Sequence, residues 1–188
     1  MTLMILGLGL WWASHLFPIY MADRRAAAIA RLGQGPYKGL FALVSLGAVV
    51  LMVKGYQQAP FEPVWSPPIW TMHLNNLLML LALFLVAAKH AKSSVKHFVR
   101  HPMLAGVKVW ALAHLLVNGD LASIVLFGGV LGWAVVAMIG SNRRDGAWER
   151  PPKGNMAGLI RHGIITVVVF AAIVAIHGPL LGVYTFPK

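Results

Sequence analysis

The sequence predicts an all-α fold: a polytopic integral membrane bundle of about six transmembrane helices with both termini on the non-cytoplasmic side. Three observations predict it. Hydrophobic residues make up 59% of the chain and charged ones only 11%, with a mean hydropathy of +0.72, far from a soluble average. Apolar runs near bilayer length recur six times. Lysine and arginine collect in alternate connections. At 188 residues the six spans use nearly all of the chain, so residues 1–188 read as a single transmembrane domain.

The spans run, in order, from Leu3 to Met21, Gly39 to Tyr56, Ile69 to Ala88, Met103 to Val117, Leu121 to Ile139 and Gly163 to Val183. Turn or charge chemistry separates them. Gly33-Gln34-Gly35-Pro36 is expected to end a helix, as are the proline-rich stretch from Pro60 to Pro68 and the segment Asp145 to Pro152. Asn118-Gly119-Asp120 is so short that a tight helical hairpin is expected, with Asp120 capping the next helix. The amino terminus lacks a basic n-region, so the first span is expected to remain in the mature chain.

Thirteen of the sixteen cations obey one orientation. The first connection carries Arg24, Arg25, Arg31 and Lys38; the third carries Lys89, Lys92, Lys96 and Arg100; the fifth carries Arg143, Arg144, Arg150, Lys153 and Arg161. The second and fourth carry none. The positive-inside rule makes the odd loops cytoplasmic and points to a multi-pass protein of the cell inner (plasma) membrane. Tyr56, Trp65, Trp70 and Tyr184 then mark the outer interface, and Tyr20, Tyr37 and Trp148 the inner one. A net charge of +11 would suggest nucleic acid in a soluble protein, but basic loops beside apolar spans are a topology signal, so the expected partner is the lipid bilayer and no nucleic acid.

With no cysteine, disulfides, iron–sulfur clusters and thiol nucleophiles are excluded, and metal chemistry rests on eight histidines. Ionisable residues within a span are the default functional candidates. His15, His114 and Lys108 qualify, with His73 near an outer end. Two neutral imidazoles from different helices are the arrangement that holds a b-type haem without thioether links. Its propionates would call for cations, of which Arg24, Arg25, Arg100 and Lys108 are the nearest. The residues alone leave other readings open: histidines bonded to a neighbouring carbonyl, a snorkelling Lys108, and His101 as a helix-start residue at the headgroups rather than a propionate contact or an acid–base group. Pro102 suits a first helical turn, and Gly106, Trp110 and His114 recur on one face, where Gly106 admits a helix or a flat ligand. His73, Asn75, Asn76 and His177 read as hydrated interfacial groups, and His90, Arg161 and His162 as part of the basic face.

The run RHPMLAGVKVWALAHLLVNGD, with ASHLFP in the first span and GPYKGLFALVSL opening the second, resembles the NnrU family of bacterial membrane proteins, related to plant 15-cis-zeta-carotene isomerase. The resemblance covers most of the chain and is strongest from Arg100 to Asp120. It implies a membrane haem b protein with His15 and His114 as the iron ligands, and Arg100, His101 and Lys108 beside the cofactor. It also implies an association with denitrification, in nitrite and nitric oxide reduction, alongside a redox or reductase partner protein. The plant relative isomerises a cis double bond of a carotene on reduced haem, which implies a hydrophobic polyene as substrate. Two departures stand out: Ala111 replaces the plant cysteine three residues before the second histidine, and the loop SNRRDGAWERPPK is shorter.

Three rivals remain. A haem-binding accessory or electron-transfer subunit shares the same site without being an enzyme. A membrane methyltransferase using S-adenosylmethionine also carries an RHP-x-x-x-G segment, but Asp145, Trp148, Glu149 and Arg150 match its second motif poorly. A di-iron hydroxylase is suggested by His97-x-x-x-His101, yet no two histidines are adjacent and acidic residues number only five. Phe98 also replaces the glutamate of a zincin.

Overall fold

A computed structural model describes residues 1–88, 94–181 and 185–186. The sequence readings at Lys89, His90, Lys92 and Tyr184, and the Val183 end of the last span, lie outside the described residues. Eight helices occur among the described residues: α1 (Thr2–Tyr20), α2 (Ala22–Leu32), α3 (Gln34–Gln57), α4 (Thr71–Ala87), α5 (Val95–Phe98), α6 (Pro102–Val117), α7 (Leu121–Asp145) and α8 (Met156–Leu181). No strand forms among them; one isolated antiparallel bridge joins Pro63 and Asp120.

Four helices, α1, α3, α7 and α8, are long and apolar enough to cross a membrane. The other two apolar helices, α4 and α6, have 17 and 16 residues. At about 1.5 Å per residue they reach roughly 24–26 Å, short of a hydrocarbon core of about 30 Å. The outward faces carry large aliphatic side chains such as Leu43, Leu77, Ile164 and Val168, all more than half exposed. Such a surface suits a bilayer, because no water is there to penalise it.

Several boundaries differ from the sequence reading for local reasons. Ala22–Leu32, expected as a basic loop, is a helix whose alanines favour that conformation and whose arginines stay outward. A helix does end at Gly33-Gln34-Gly35-Pro36, since α2 stops at Leu32, but the next begins at once: Pro36 lies in the first turn of α3, where an amide without a partner is the rule. Gly33, at φ 84°, is the residue that turns the chain. The last helix starts at Met156 rather than Gly163, because the Asn155 side chain accepts the Gly158 amide at 2.7 Å.

The chain folds as two compact units, one of α1, α2, α3 and α7, the other of α4, α5, α6 and α8. In the first unit α1 and α3 approach so closely that a Cβ on Gly7 would lie 2.7 Å from the Ala48 carbonyl oxygen, and one on Gly55 would strike the backbone of Met4. Trp12 Nε1–H donates to the Gly129 carbonyl at 3.0 Å and Tyr20 Oη–H to the Val136 carbonyl at 3.0 Å, which seats α7 on α1. In the second unit Gly106 of α6 rests on the Ala82 carbonyl and Val86 of α4. What approaches Gly106 is therefore a helix rather than a flat ligand.

Asn118-Gly119-Asp120 runs extended instead of turning tightly: Asn118 has φ −120°, ψ 111° and Asp120 φ −94°, ψ 156°. The Trp65 amide donates to the Gly119 carbonyl at 3.1 Å, and the Leu121 amide to the Glu62 carbonyl at 2.9 Å. The expected cap is present: Asp120 Oδ1 accepts the Ser123 amide at 2.9 Å. Asp120 Oδ2 also accepts the Ser123 hydroxyl at 2.5 Å, so the Ser123 oxygen accepts the Tyr56 hydroxyl at 2.8 Å. This buried chain ties α3 to the start of α7. Asp120→Ala removes the cap and the acceptor of the Ser123 hydroxyl, and is expected to cost about 2–3 kcal/mol. The check is thermal unfolding of the detergent-solubilised protein, in which Asp120→Asn, retaining one acceptor, should lose less.

Candidate functional site

The two candidate ligands belong to different units, His15 to α1 and His114 to α6. Each ring is held the same way. His15 Nδ1 lies 3.0 Å from the Trp11 carbonyl, and His114 Nδ1 lies 2.9 Å from the Trp110 carbonyl. A carbonyl oxygen only accepts, so in both rings Nδ1 carries the proton and Nε2 carries the lone pair. That tautomer, fixed by a backbone acceptor, is the usual state of a metal-ligating histidine. A tryptophan stands four residues before each histidine, W-x-x-x-H, which puts both rings on one helix face.

Around His15 the walls are aromatic. Trp11 stacks on it at 3.7 Å between ring centroids with planes 23° apart; Phe41 lies at 5.0 Å, and Trp133 meets it edge-on at 5.4 Å. The Ser14 hydroxyl donates to the Trp11 carbonyl at 3.1 Å, bracing the acceptor that holds the imidazole. Nε1 of Trp11 and Nε1 of Trp133 are both shielded from solvent and meet no acceptor among the described residues. An unmet buried donor costs about 1–3 kcal/mol, a cost that a bound acceptor beside His15 would relieve. Aromatic walls, a lone-pair nitrogen and unmet donors fit one side of a haem. Sequence reasoning did not single out Trp11 or Trp133; the W-x-x-x-H spacing was visible for the first, but the second arrives from α7, over a hundred residues away.

At the other candidate, Trp110 tilts against His114 at 4.8 Å between centroids. The Asn118 side chain donates to the His114 carbonyl at 2.8 Å, closing the end of α6. His177 on α8, in the same unit, lies within electrostatic reach of His114.

The remaining predicted contacts are spread along α6. His101 is the N-cap of α6, and Arg100 precedes it. His114 is in the last turn, so thirteen residues, about 20 Å along the axis, separate it from His101. Lys108 is half-buried midway, six residues from His114 and therefore about 120° around the helix. Arg24 and Arg25 are exposed on α2, with the Arg25 guanidinium 6.0 Å from the centre of the Tyr37 ring.

One histidine behaves differently from its sequence reading. His162, assigned to the basic face, is 3% exposed and stacks on Phe84 of α4 at 4.2 Å with planes 9° apart. The burial comes from α4, which its own flanking Arg161 and Gly163 do not reveal. His97, half of the His97-x-x-x-His101 spacing, lies in α5 and its Nδ1–H donates to the Pro151 carbonyl at 2.8 Å. Among the described residues no three histidine, aspartate or glutamate side chains gather as a metal-binding group. An open apolar groove runs between α4 and α8, lined by Leu77, Leu81, Phe84, Gly163, Thr166 and Val167.

No curated protein and no solved structure matches the chain. The NnrU protein family matches residues 3–185, nearly its whole length, in keeping with the apolar helices and the sequence motifs around both histidines. The chain belongs to the NnrU protein family.

Proposed function

We propose that this NnrU-family chain is a multi-pass membrane protein that binds haem b through Nε2 of His15 and Nε2 of His114. The observation that carries the reading is the shared tautomer: each imidazole is held by its Nδ1–H on the carbonyl of a preceding tryptophan. When bound, haem would supply a one-electron iron couple and a Lewis-acidic metal centre. The chain's own part is to orient both imidazoles, and in unit 1 to wall His15 with aromatic rings. Arg100, His101 and Lys108 serve as basic groups toward the cofactor in this reading. A haem-carrying accessory or electron-transfer role beside a nitrite or nitric oxide reductase fits the family resemblance. The isomerase-type alternative is favoured by the apolar groove of α4 and α8, which offers a surface for a polyene. Nothing in the geometry favours an S-adenosylmethionine methyltransferase.

The test is haem content per purified chain. His15→Ala and His114→Ala are each expected to lose most of the haem, whereas His177→Ala retains it. Retention in His15→Ala with loss in His177→Ala would overturn the assignment in favour of a His114 and His177 pair.

In the same reading the chain crosses the inner (plasma) membrane six times, with α4 and α6 accommodated by local thinning of the bilayer. The basic connections face the cytoplasm and both termini lie outside. Because the chain has no cysteine, single introduced cysteines report directly. Ala59→Cys should react with an impermeant maleimide on intact cells, and Arg31→Cys and Lys153→Cys only after permeabilisation. The opposite pattern would invert the topology.

A further inference from the structure

Trp11 and Trp133 each carry a buried indole N–H that no atom of the described residues accepts. Indole nitrogen is a donor only, so neither group can be satisfied by turning its role around. The ordinary solution stands one residue away, where Trp12 donates to the Gly129 carbonyl at 3.0 Å. The two unmet donors are not scattered: one comes from α1 and one from α7, both in unit 1, and their rings meet edge to face at 5.3 Å between centroids. Both rings also contact His15, at 3.7 and 5.4 Å. Trp133 itself is only 6% exposed, so bulk water is no substitute acceptor. Two unmet N–H donors therefore belong to rings packed against the His15 imidazole, with the Phe41 ring 5.0 Å from it.

We propose that Trp11 and Trp133 are the hydrogen-bond donors for an oxygen acceptor carried by a flat, apolar ligand seated against His15. The flat ring suits the aromatic walls, and the oxygen suits the donors; a pure hydrocarbon would leave both N–H groups unmet. Two sources present this chemistry. One is a propionate of the haem, for which the inference rests on the haem reading above. The other is the carbonyl of a membrane-soluble quinone.

The test uses the full-length protein in detergent, stripped of bound ligands. Wild type, Trp11→Phe and Trp133→Phe are titrated with hemin, with iron etioporphyrin, which has the same macrocycle without carboxylates, and with decylubiquinone. Phenylalanine keeps an aromatic wall and removes only the N–H. If a propionate is the acceptor, each variant weakens hemin about three- to tenfold and leaves iron etioporphyrin unchanged. If a quinone carbonyl is the acceptor, decylubiquinone weakens by a similar factor and hemin does not. Unchanged affinities for all three, or no binding of any of them to wild type, overturn the proposal. Hemin binding that ignores both tryptophans leaves the haem reading standing alone; quinone binding sensitive to them, with no hemin binding, does the reverse. Should the variants fail to fold, ultraviolet resonance Raman spectra of the wild-type indoles decide: the bands must move to the hydrogen-bonded position when hemin or decylubiquinone is added, and an absence of movement overturns the proposal.

Discussion

Gly55→Ala is expected to unfold the first unit, while Gly47→Ala on the same helix leaves it intact or slightly more stable. The two substitutions add the same single methyl group to α3, and only the surroundings differ. At Gly47 a Cβ meets nothing within 4 Å. At Gly55 it strikes the backbone of Met4 on α1, an atom set that cannot swing aside as a side-chain tip would. Met4 is itself fully buried, so relieving the clash means parting α1 from α3. Overpacking of a filled core costs about 1–3 kcal/mol and more where backbone must move, whereas alanine in an open helical position gains up to about 1 kcal/mol over glycine. The same contrast holds on α1. Gly7→Ala places a methyl 2.7 Å from the Ala48 carbonyl oxygen and from the Met52 amide nitrogen, and Gly9→Ala meets nothing within 4 Å. Size-exclusion profiles after a heating series should separate the two pairs; equal behaviour of Gly55→Ala and Gly47→Ala would contradict this packing.

The second large effect concerns the two histidines proposed as iron ligands. His15→Gly removes an imidazole whose tautomer is fixed by the Trp11 carbonyl and whose faces are covered by Trp11, Phe41 and Trp133. The aromatic walls remain, so the vacated space is shaped like the ring it lost. Haem retention is expected to fall at least tenfold, and added imidazole should restore it, since the free molecule can take the same coordination position. Recovery separates a lost ligand from a lost fold, because a collapsed helix pair would not respond to imidazole. His114→Gly should behave alike, and His162→Gly should not, since His162 stacks on Phe84 as packing.

Much of this architecture was readable beforehand, and the exceptions have physical causes. Helical class follows from apolar runs of bilayer length, and the Asp120 cap and the Pro102 start are local chemistry within four residues. The Ala22–Leu32 helix escaped because an alanine- and arginine-rich stretch has helix propensity but no long apolar run. Met156 as the start of α8 escaped because Arg161 interrupts the apolar run while the Asn155 cap lies eight residues before the predicted start. At the site, His15 and His114 stood out as rare ionisable groups in apolar helices. What surrounds them did not: Trp133 and Phe41 reach His15 from α7 and α3, and Phe84 buries His162 from α4, pairings that only tertiary structure creates.

The most direct measurement is the absorption spectrum of the protein purified from cells supplied with a haem precursor, recorded as isolated and after dithionite reduction. Two histidine ligands predict a low-spin haem b, with a sharp α-band on reduction in wild type that is lost or broadened in His15→Ala and His114→Ala. A wild-type spectrum with no haem bands in either state, from protein that is folded and monodisperse, would contradict the account.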